Sequence, residues 1–428
     1  MLLSHSHSDS SARDHLFNTF ASVHTVHRYC VQHLCLCLQD VTHSSGANDS
    51  EVLCYEENEE LGDYRHLRSR INLLGPDALP QLRCISRLAF SHWRRIPTPS
   101  VQLDLAARMP GLVTLDLVLS GFEVRYPGLL REDRCRLATM LKLRLEEAKT
   151  ISGATLDMSL DGGAINQMLP MPNLTYPSEY DLLGSSLSIW SQRLTKLYIK
   201  GVLDEALFWP HASETATSPP EWLNLEKLDV HLERHTPSGW WYFMPKGKPK
   251  YGTPPRNPAE DPNDLPLPFT DNPADGADPF DKEDEDNWDF QRTDDAPEED
   301  LLTRNVPNED TMQPLFEGWA KALRSMPSLR QARLAFEVEI PNSKTNDEED
   351  LNTEDWEVIY QSPDFHNPRW ERELGAGERS SRRLIFHNTC GWRPNKATMD
   401  LLRCVGEESH PGTKVVVLAI NEWNKILR

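Results

Sequence analysis

The feature that most restricts the fold of this chain is a junction that recurs along it: Leu or Met, then Pro, any residue, then Leu. It occurs at Leu79-Pro80-Gln81-Leu82, Met109-Pro110-Gly111-Leu112, Met171-Pro172-Asn173-Leu174 and Met326-Pro327-Ser328-Leu329. Proline has no amide donor and drives the preceding residue out of the helical region, so each junction ends a helix and starts an extended segment. Two junctions read clearly on both sides. Leu315, Trp319, Ala322, Leu323 and Met326 fall at helical spacing ahead of Pro327, and Leu329, Leu334 and Phe336 follow in strand-like alternation. Val101, Leu105 and Ala106 share one helical face behind Ser100, a residue suited to an N-cap. Leu112, Leu115, Leu117 and Leu119 then follow Pro110 as a strand.

A second pattern, apolar-x-x-apolar-x-apolar, marks the strands themselves. It appears at Ile85/Leu88/Phe90, Leu112/Leu115/Leu117, Leu194/Leu197/Ile199 and Leu225/Leu228/Val230, with weaker copies at Leu329/Ala332/Leu334 and Ile151/Ala154/Leu156. This is the core of the leucine-rich-repeat pattern, in which each strand joins a parallel sheet and its leucines fill the space under a backing helix. The units recur at roughly 27 to 43 residues, longer and less regular than the usual 20 to 29. The predicted fold class is therefore α/β: an irregular leucine-rich-repeat-like solenoid, its parallel sheet backed by helices. An ordinary α/β protein with several Leu-rich strands is the plainer alternative. Leu130 to Ala148 reads as a charged amphipathic helix packing on the core. Arg383 to His387 and Lys414 to Ile420 read as strands around a helix from Asn395 to Val405, a β-α-β unit that extends a parallel sheet or caps its end.

Charge divides the chain. The formal net charge is −21, but Tyr251 to Asp310 holds 19 acidic and 4 basic residues, so that stretch alone carries −15 and the remainder −6. The segment from Pro245 to Asp310 is rich in proline, poor in aliphatic residues and includes the acidic run Asp281 to Asp286. It buries too little apolar surface to offset its ordering entropy and reads as a disordered, solvating insertion, with a basic partner as the other use for it. A smaller hydrophilic loop is expected from Pro341 to Asp355. The expected organisation is a partly disordered helical cap over 1–60, leucine-rich-like units over 61–244, the acidic insertion over 245–310, and continuing units with the β-α-β cap over 311–428. No basic stripe suits nucleic acid. The longest apolar run, Val415 to Ile420, suits a buried strand and is far too short for a membrane span. Met1 to Phe20 lacks the basic start, apolar middle and cleavage site of a secretory segment. Eight sparse cysteines, Cys30, Cys35, Cys37, Cys54, Cys84, Cys135, Cys390 and Cys404, then read as reduced thiols of a cytoplasmic or nuclear protein.

The chain contains no glycine-rich phosphate loop, dinucleotide fingerprint, His-Glu-x-x-His motif, Gly-x-Ser-x-Gly elbow or Cys-x-x-Cys pair. No catalytic, cofactor-binding or metal residue is predicted. His27, Cys30, His33, Cys35 and Cys37 are soft ligands at close spacing, yet Cys35 and Cys37 point to different helical faces and no second ligand pair has finger-like spacing. Asp157, Asp161 and the Gly162-Gly163 pair read as a solvated face and a turn. His387, inside a predicted strand, has no partner identifiable from sequence. Trp240 to Phe243 is the most interesting surface candidate. With Trp240 and Tyr242 inward, Trp241 and Phe243 point outward and can anchor a partner; the alternative is a strand covered on both faces.

Leu61-Gly62-Asp63-Tyr64-Arg65-His66-Leu67-Arg68, Asn72-Leu73-Leu74-Gly75-Pro76-Asp77-Ala78-Leu79-Pro80 and Trp240-Trp241-Tyr242-Phe243-Met244-Pro245 resemble an uncharacterised filamentous-fungal family. So does the helix ending at Met326-Pro327 after an acidic insertion. Its members are often labelled F-box or leucine-rich-repeat-like. In F-box proteins a short N-terminal helical module docks on the linker subunit of cullin ubiquitin ligases, and a repeat domain selects the substrate. The Leu-Pro-x-Glu opening of that module is missing from Met1 to Leu38, and the nearest candidate, Phe17 to Leu38, is only helix-compatible. The module is thus absent or the N-terminus incomplete. The expected function is a non-enzymatic protein-interaction scaffold with an unknown protein partner. The alternatives are a substrate-recognition subunit of a ubiquitin ligase and an α/β enzyme without a recognised motif. No cofactor, nucleic acid or membrane is expected as a ligand.

Overall fold

The computed structural model describes residues 81–90, 99–119, 127–144, 149–159, 171–211, 219–245, 304–341, 351–363, 365 and 378–420, together with short strands at 2–3, 33–36 and 73–74. Its centre is one ten-stranded sheet whose spatial order follows the chain. The strands are β1 (His33–Leu36), β2 (Arg87–Phe90), β3 (Thr114–Val118), β4 (Gly153–Met158) and β5 (Lys196–Gly201). Beyond them lie β6 (Lys227–Leu232), β7 (Gln331–Pro341), β8 (Leu351–Gln361), β9 (Arg382–His387) and β10 (Val415–Ile420). Every neighbouring pair is parallel except β7–β8 and β8–β9, so β8 alone runs against the rest. The fold is mixed α/β with a mostly parallel sheet.

Parallel neighbours need crossovers, and helices supply them. These are α1 (Pro99–Ala107), α2 (Pro127–Arg144), α3 (Leu182–Ser191), α4 (Glu309–Arg324) and α5 (Lys396–Arg403), with a 3-10 turn at Glu205–Leu207 between β5 and β6. Each packs on the next in chain order: α1 on α2, α2 on α3, α3 on the 3-10 turn, that turn on α4, and α4 on α5. One continuous apolar core joins these helices to the facing side chains of the sheet. The helix signals are local. Asn308 caps α4 by accepting from the Asp310 amide at 3.2 Å, Glu309 and Asp310 fill its first turn, and Lys321 and Arg324 its last, which matches the helix dipole. Among the described residues no helix is long and apolar enough to cross a membrane.

The repeat seen in the sequence is also a repeat of hydrogen bonds. The residue just ahead of each strand from β2 to β6 offers one carbonyl to two consecutive amides of the following unit. Ser86 O accepts from Val113 N and Thr114 N at 2.8 and 3.0 Å, and Val113 O from Ser152 N and Gly153 N at 3.0 and 3.1 Å. Ser152 O, Thr195 O and Glu226 O repeat the arrangement with Thr195/Lys196, Glu226/Lys227 and Arg330/Gln331. This shared geometry fixes the register. Leu88, Leu115, Ala154, Leu197, Leu228 and Ala332 form one row across six strands, and Leu117, Leu156, Ile199, Val230 and Leu334 the row beside it. The first apolar residue of each copy, from Ile85 to Leu329, is buried under the strand it precedes.

The two clear junctions behave as expected: α1 ends at Ala107 and α4 at Arg324, each just ahead of its Met-Pro, and β3 and β7 follow. The β-α-β unit of β9, α5 and β10 is also present, with β9 and β10 parallel. Three expectations need correction. No strand follows Met171-Pro172, because Asn173 Oδ1 takes the amide and hydroxyl of Thr175 at 3.0 and 2.8 Å and closes a turn, so the next strand waits until Lys196. Within Phe17–Leu38, which reads as helix-compatible, His33–Leu36 instead forms β1, because the outer edge of β2 offers a row of backbone partners. The hydrophilic loop from Pro341 to Asp355 is narrower than expected: β7 runs to Pro341 and β8 starts at Leu351, since an eleven-residue antiparallel ladder outweighs the weak strand propensity of acidic residues.

The insertion is pinned at both ends. Phe243–Pro245 pairs antiparallel with Arg304–Pro307, and α4 begins at Glu309. Residues 246–303, including Asp281 to Asp286, lie outside the described residues, as does most of the expected cap over 1–60. There the described residues are β1 and Leu2–Leu3, which pairs antiparallel with Leu73–Leu74.

Candidate functional site

Alternation along β3 to β7 separates two chemistries. The helix-facing side chains are at most 7% exposed. The opposite side chains include Asp116, Tyr198, Lys200, Asp229, His231 and Arg333, all partly exposed, and Lys196 and Lys227, both exposed. Register puts Asp116, Thr155, Tyr198, Asp229 and Arg333 in one row and Val118, Asp157, Lys200 and His231 in the next. Neighbouring strands stand about 4.8 Å apart, so these side chains form one surface. No described helix packs on it.

At its centre Arg333 holds three carboxylates. Its Nη1 lies 3.4 Å from Asp229, its Nη2 2.9 Å from Asp355, and its Nε 2.5 Å from Glu357. Glu357 is fully buried, and His387 Nδ1, also fully buried, lies 3.0 Å from its other oxygen. Burial works against the Arg333 charge, but the combined pull of Glu357, Asp229 and Asp355 outweighs it and raises its pKa above the ordinary value. The same surroundings act on their neighbours. Burial and then the nearby Arg333 and Lys200 charges lower the pKa of His231, which favours the neutral imidazole. Burial and the Asp229 charge raise that of the Tyr198 phenol. Through these contacts the cluster links β6, β7, β8 and β9.

The charges outside the cluster are of both signs, because Asp157 and the exposed Glu337 share this face with three lysines. Arg87 pairs with Asp116 at 2.7 Å, and Asp157 Oδ1 accepts from the Ser159 amide and hydroxyl at 3.0 and 2.6 Å. Lys196, Lys200 and Lys227 form no ion pair among the described residues. Lys196 and Lys227 are register partners on adjacent strands.

Trp241 and Phe243 do not face outward, which corrects the expected alternation. Trp240 is 42% exposed, whereas Trp241, Tyr242 and Phe243 are all at 0%. The chain turns here instead of running as a strand: Gly239 has φ +88 and Trp241 bridges His235. Trp241 is covered by the Arg304 guanidinium, 4.6 Å from its ring centre, and by His235. Tyr242 donates to Leu203 O at 2.8 Å, and Phe243 packs edge-on to Phe336 and Trp356. A buried ring presents no surface to a partner.

His33 and Cys35 sit in β1, while His27, Cys30, Cys37 and Cys54 lie outside the described residues, as do Asp161, Gly162 and Gly163. Cys84, Cys135, Cys390 and Cys404 are exposed thiols. Among the described residues no group of three or more His, Cys, Asp or Glu is placed to hold a metal. The Arg333–Glu357–His387 network escaped sequence reasoning because its members lie 24 and 30 residues apart and Glu357 adjoins a stretch that reads as loop. The usable signal was a lone charge at alternating positions of two apolar strands. The chain matches no protein-family model, no curated protein and no solved structure.

Proposed function

We propose that this chain is a non-enzymatic recognition scaffold of irregular leucine-rich-repeat-like kind, whose units stack as an open solenoid and bind a protein partner over the helix-free face of the sheet. The supporting observation is the repeated unit itself: one carbonyl serving two amides at five successive junctions, with leucines on one side and partly exposed polar residues on the other. A stack of this kind offers a broad rigid surface whose side chains vary without disturbing the backbone. Lys196, Lys200 and Lys227 stand on this face with no ion pair among the described residues, so the partner it fits carries carboxylates at that group, and Tyr198 supplies an aromatic contact between them.

The test is quantitative co-purification from cells with the wild-type chain and with Lys196→Glu/Lys227→Glu. Both lysines are exposed, so the variant keeps its thermal midpoint. Specific partners should drop by about tenfold or more and become salt-sensitive. Hydrogen exchange on the recovered complex should show protection along β3 to β7. Equal recovery by the variant, or protection confined to α1–α4, refutes the reading.

A further inference from the structure

At one margin of the sheet lies β10, and among the described residues no strand pairs with its outer edge. We propose that this edge is a self-association surface: a second copy of the chain adds its own β10 antiparallel, about a twofold axis at Val417, and the two sheets join into one. This does not rest on the scaffold reading, since the joint uses other residues than the open face of β3 to β7.

Composition and position disagree in this strand. Val415–Ile420 reads Val-Val-Val-Leu-Ala-Ile, apolar on both faces, which is the pattern of a strand inside a sheet rather than at its margin. Edge strands are ordinarily guarded by a charge, a proline or a bulge, and β10 has none of these over its length. Its exposure follows. Val417 is 39% exposed and Ala419 is exposed as well, whereas their register partners on β9, Leu384 and Phe386, are each at 1%. On the other face Leu418 and Ile420 join Ile359 and Ile385 in a small apolar cluster. Both apolar faces run up to the margin and stop there.

The backbone selects the pairing. Lys414 O accepts from Arg382 N at 3.1 Å and Ile420 O from Asn388 N at 2.8 Å, so the even-numbered residues of β10 turn their amides and carbonyls inward to β9. Alternation turns those of Val415, Val417 and Ala419 outward. In an antiparallel pair the hydrogen-bonded positions also recur at every second residue. Setting Val417 against Val417 of the copy sets Val415 against Ala419, so every outward group meets a mate and about six hydrogen bonds form. The side chains agree with that register. Val417 meets its own copy on the helix side and Val416 meets Leu418 on the other, β-branched and aliphatic pairs of the kind that stabilise a sheet. Lys414, the charge just ahead of the strand, falls opposite Ile420, so the axis sets no two lysines against each other.

A second copy fits better than an unrelated extended peptide. The strand carries no charged side chain with which to select a foreign sequence, yet it complements itself in hydrogen bonds, in apolar faces and in charge. A joint of one strand a side is much smaller than the roughly 20–30 residues a side of a stable interface. The dimer is therefore reversible, with a Kd of about 1–100 µM.

Sedimentation velocity of the full chain from about 1 to 300 µM tests this, and the mean mass should rise from monomer to dimer with its midpoint inside that range. Val417→Lys sets two ammonium groups against each other at the axis and should weaken the dimer by about tenfold or more. Its thermal midpoint should stay, because position 417 reaches solvent in the single chain. A crosslink reads the same joint without relying on that variant. The twofold pair places the Val417 Cα atoms about 5.5 Å apart, within disulfide range, and those of Ala419 about 14 Å apart. Val417→Cys should therefore oxidise to a covalent dimer well above the level that wild type reaches through its own thiols, and Ala419→Cys should not. A chain that stays monomeric throughout, association as strong in a folded Val417→Lys, or equal crosslinking at the two positions overturns the proposal.

Discussion

Removing Arg333 tests whether the polar cluster is a structural pin across β6 to β9. The substitution Arg333→Met keeps the aliphatic stem and deletes the charge. Asp229 and Asp355, with side chains 16% and 32% exposed, recover water readily, but Glu357 at 0% cannot. Breaking a fully buried pair costs about 3–5 kcal/mol. Here Arg333 is itself 17% exposed and His387 still faces the stranded carboxylate at 3.0 Å, so about 3 kcal/mol is expected. That is roughly a hundredfold in the ratio of folded to unfolded chain. Glu357→Gln in the same background removes the stranded charge and leaves an oxygen for His387, and it should restore about 2 kcal/mol. Urea unfolding followed by tryptophan fluorescence measures all four members of this cycle, with Trp356 one residue from Glu357 as a local probe. A loss under about 1 kcal/mol in Arg333→Met, or a double variant whose loss equals the sum of the singles, would refute the pin.

Two further outcomes are expected. His235 is fully buried, and burial, then Arg134 and Arg234, lowers its pKa from 6.5 to about 3. Between those values the unfolded chain binds a proton that the folded chain refuses, so stability is unaffected above pH 6.5 and falls by about 1.4 kcal/mol per pH unit below it. His235→Leu should therefore gain on wild type by roughly 2 kcal/mol between pH 7.5 and pH 5, read from urea midpoints, and parallel pH curves would contradict it. Because Pro245 and Arg304 are register partners, replacing residues 246–303 by a four-residue Gly-rich turn should leave the melting temperature within a few degrees (about 1 kcal/mol or less). Aggregation of that variant would show that the segment supports the fold.

Much of the sheet was legible because its signals are local. Pro110 and Pro327 stop α1 and α4 where the junction says they must, and the spacing of Leu115/Leu117 or Leu228/Val230 states which side of the strand is buried. Where a local signal competed with a partner from far along the chain, the reading failed. Met171-Pro172 carries the same letters as the other junctions, yet the Asn173 side chain closes a turn. His33–Leu36 has an apolar, helix-compatible context and is drawn into an edge strand by β2. Of the two readings of Trp240 to Phe243, the one that turns Trp241 and Phe243 outward needs the alternation of a regular strand, and Gly239 ends that regularity two residues earlier.

By itself the sequence determined the unit: a helix closed by proline and a strand with leucines at fixed intervals. These depend on backbone sterics and on periodicities of a few residues, which any stretch of chain carries within itself. Tertiary structure alone decided what the units surround. The contact of Arg333 with Glu357 and His387 and the burial of Trp241 under Arg304 both join residues from distant loops and strands. Charge and solvation act through space, so such contacts leave no period in the sequence, and they exist only once the register has brought their residues together.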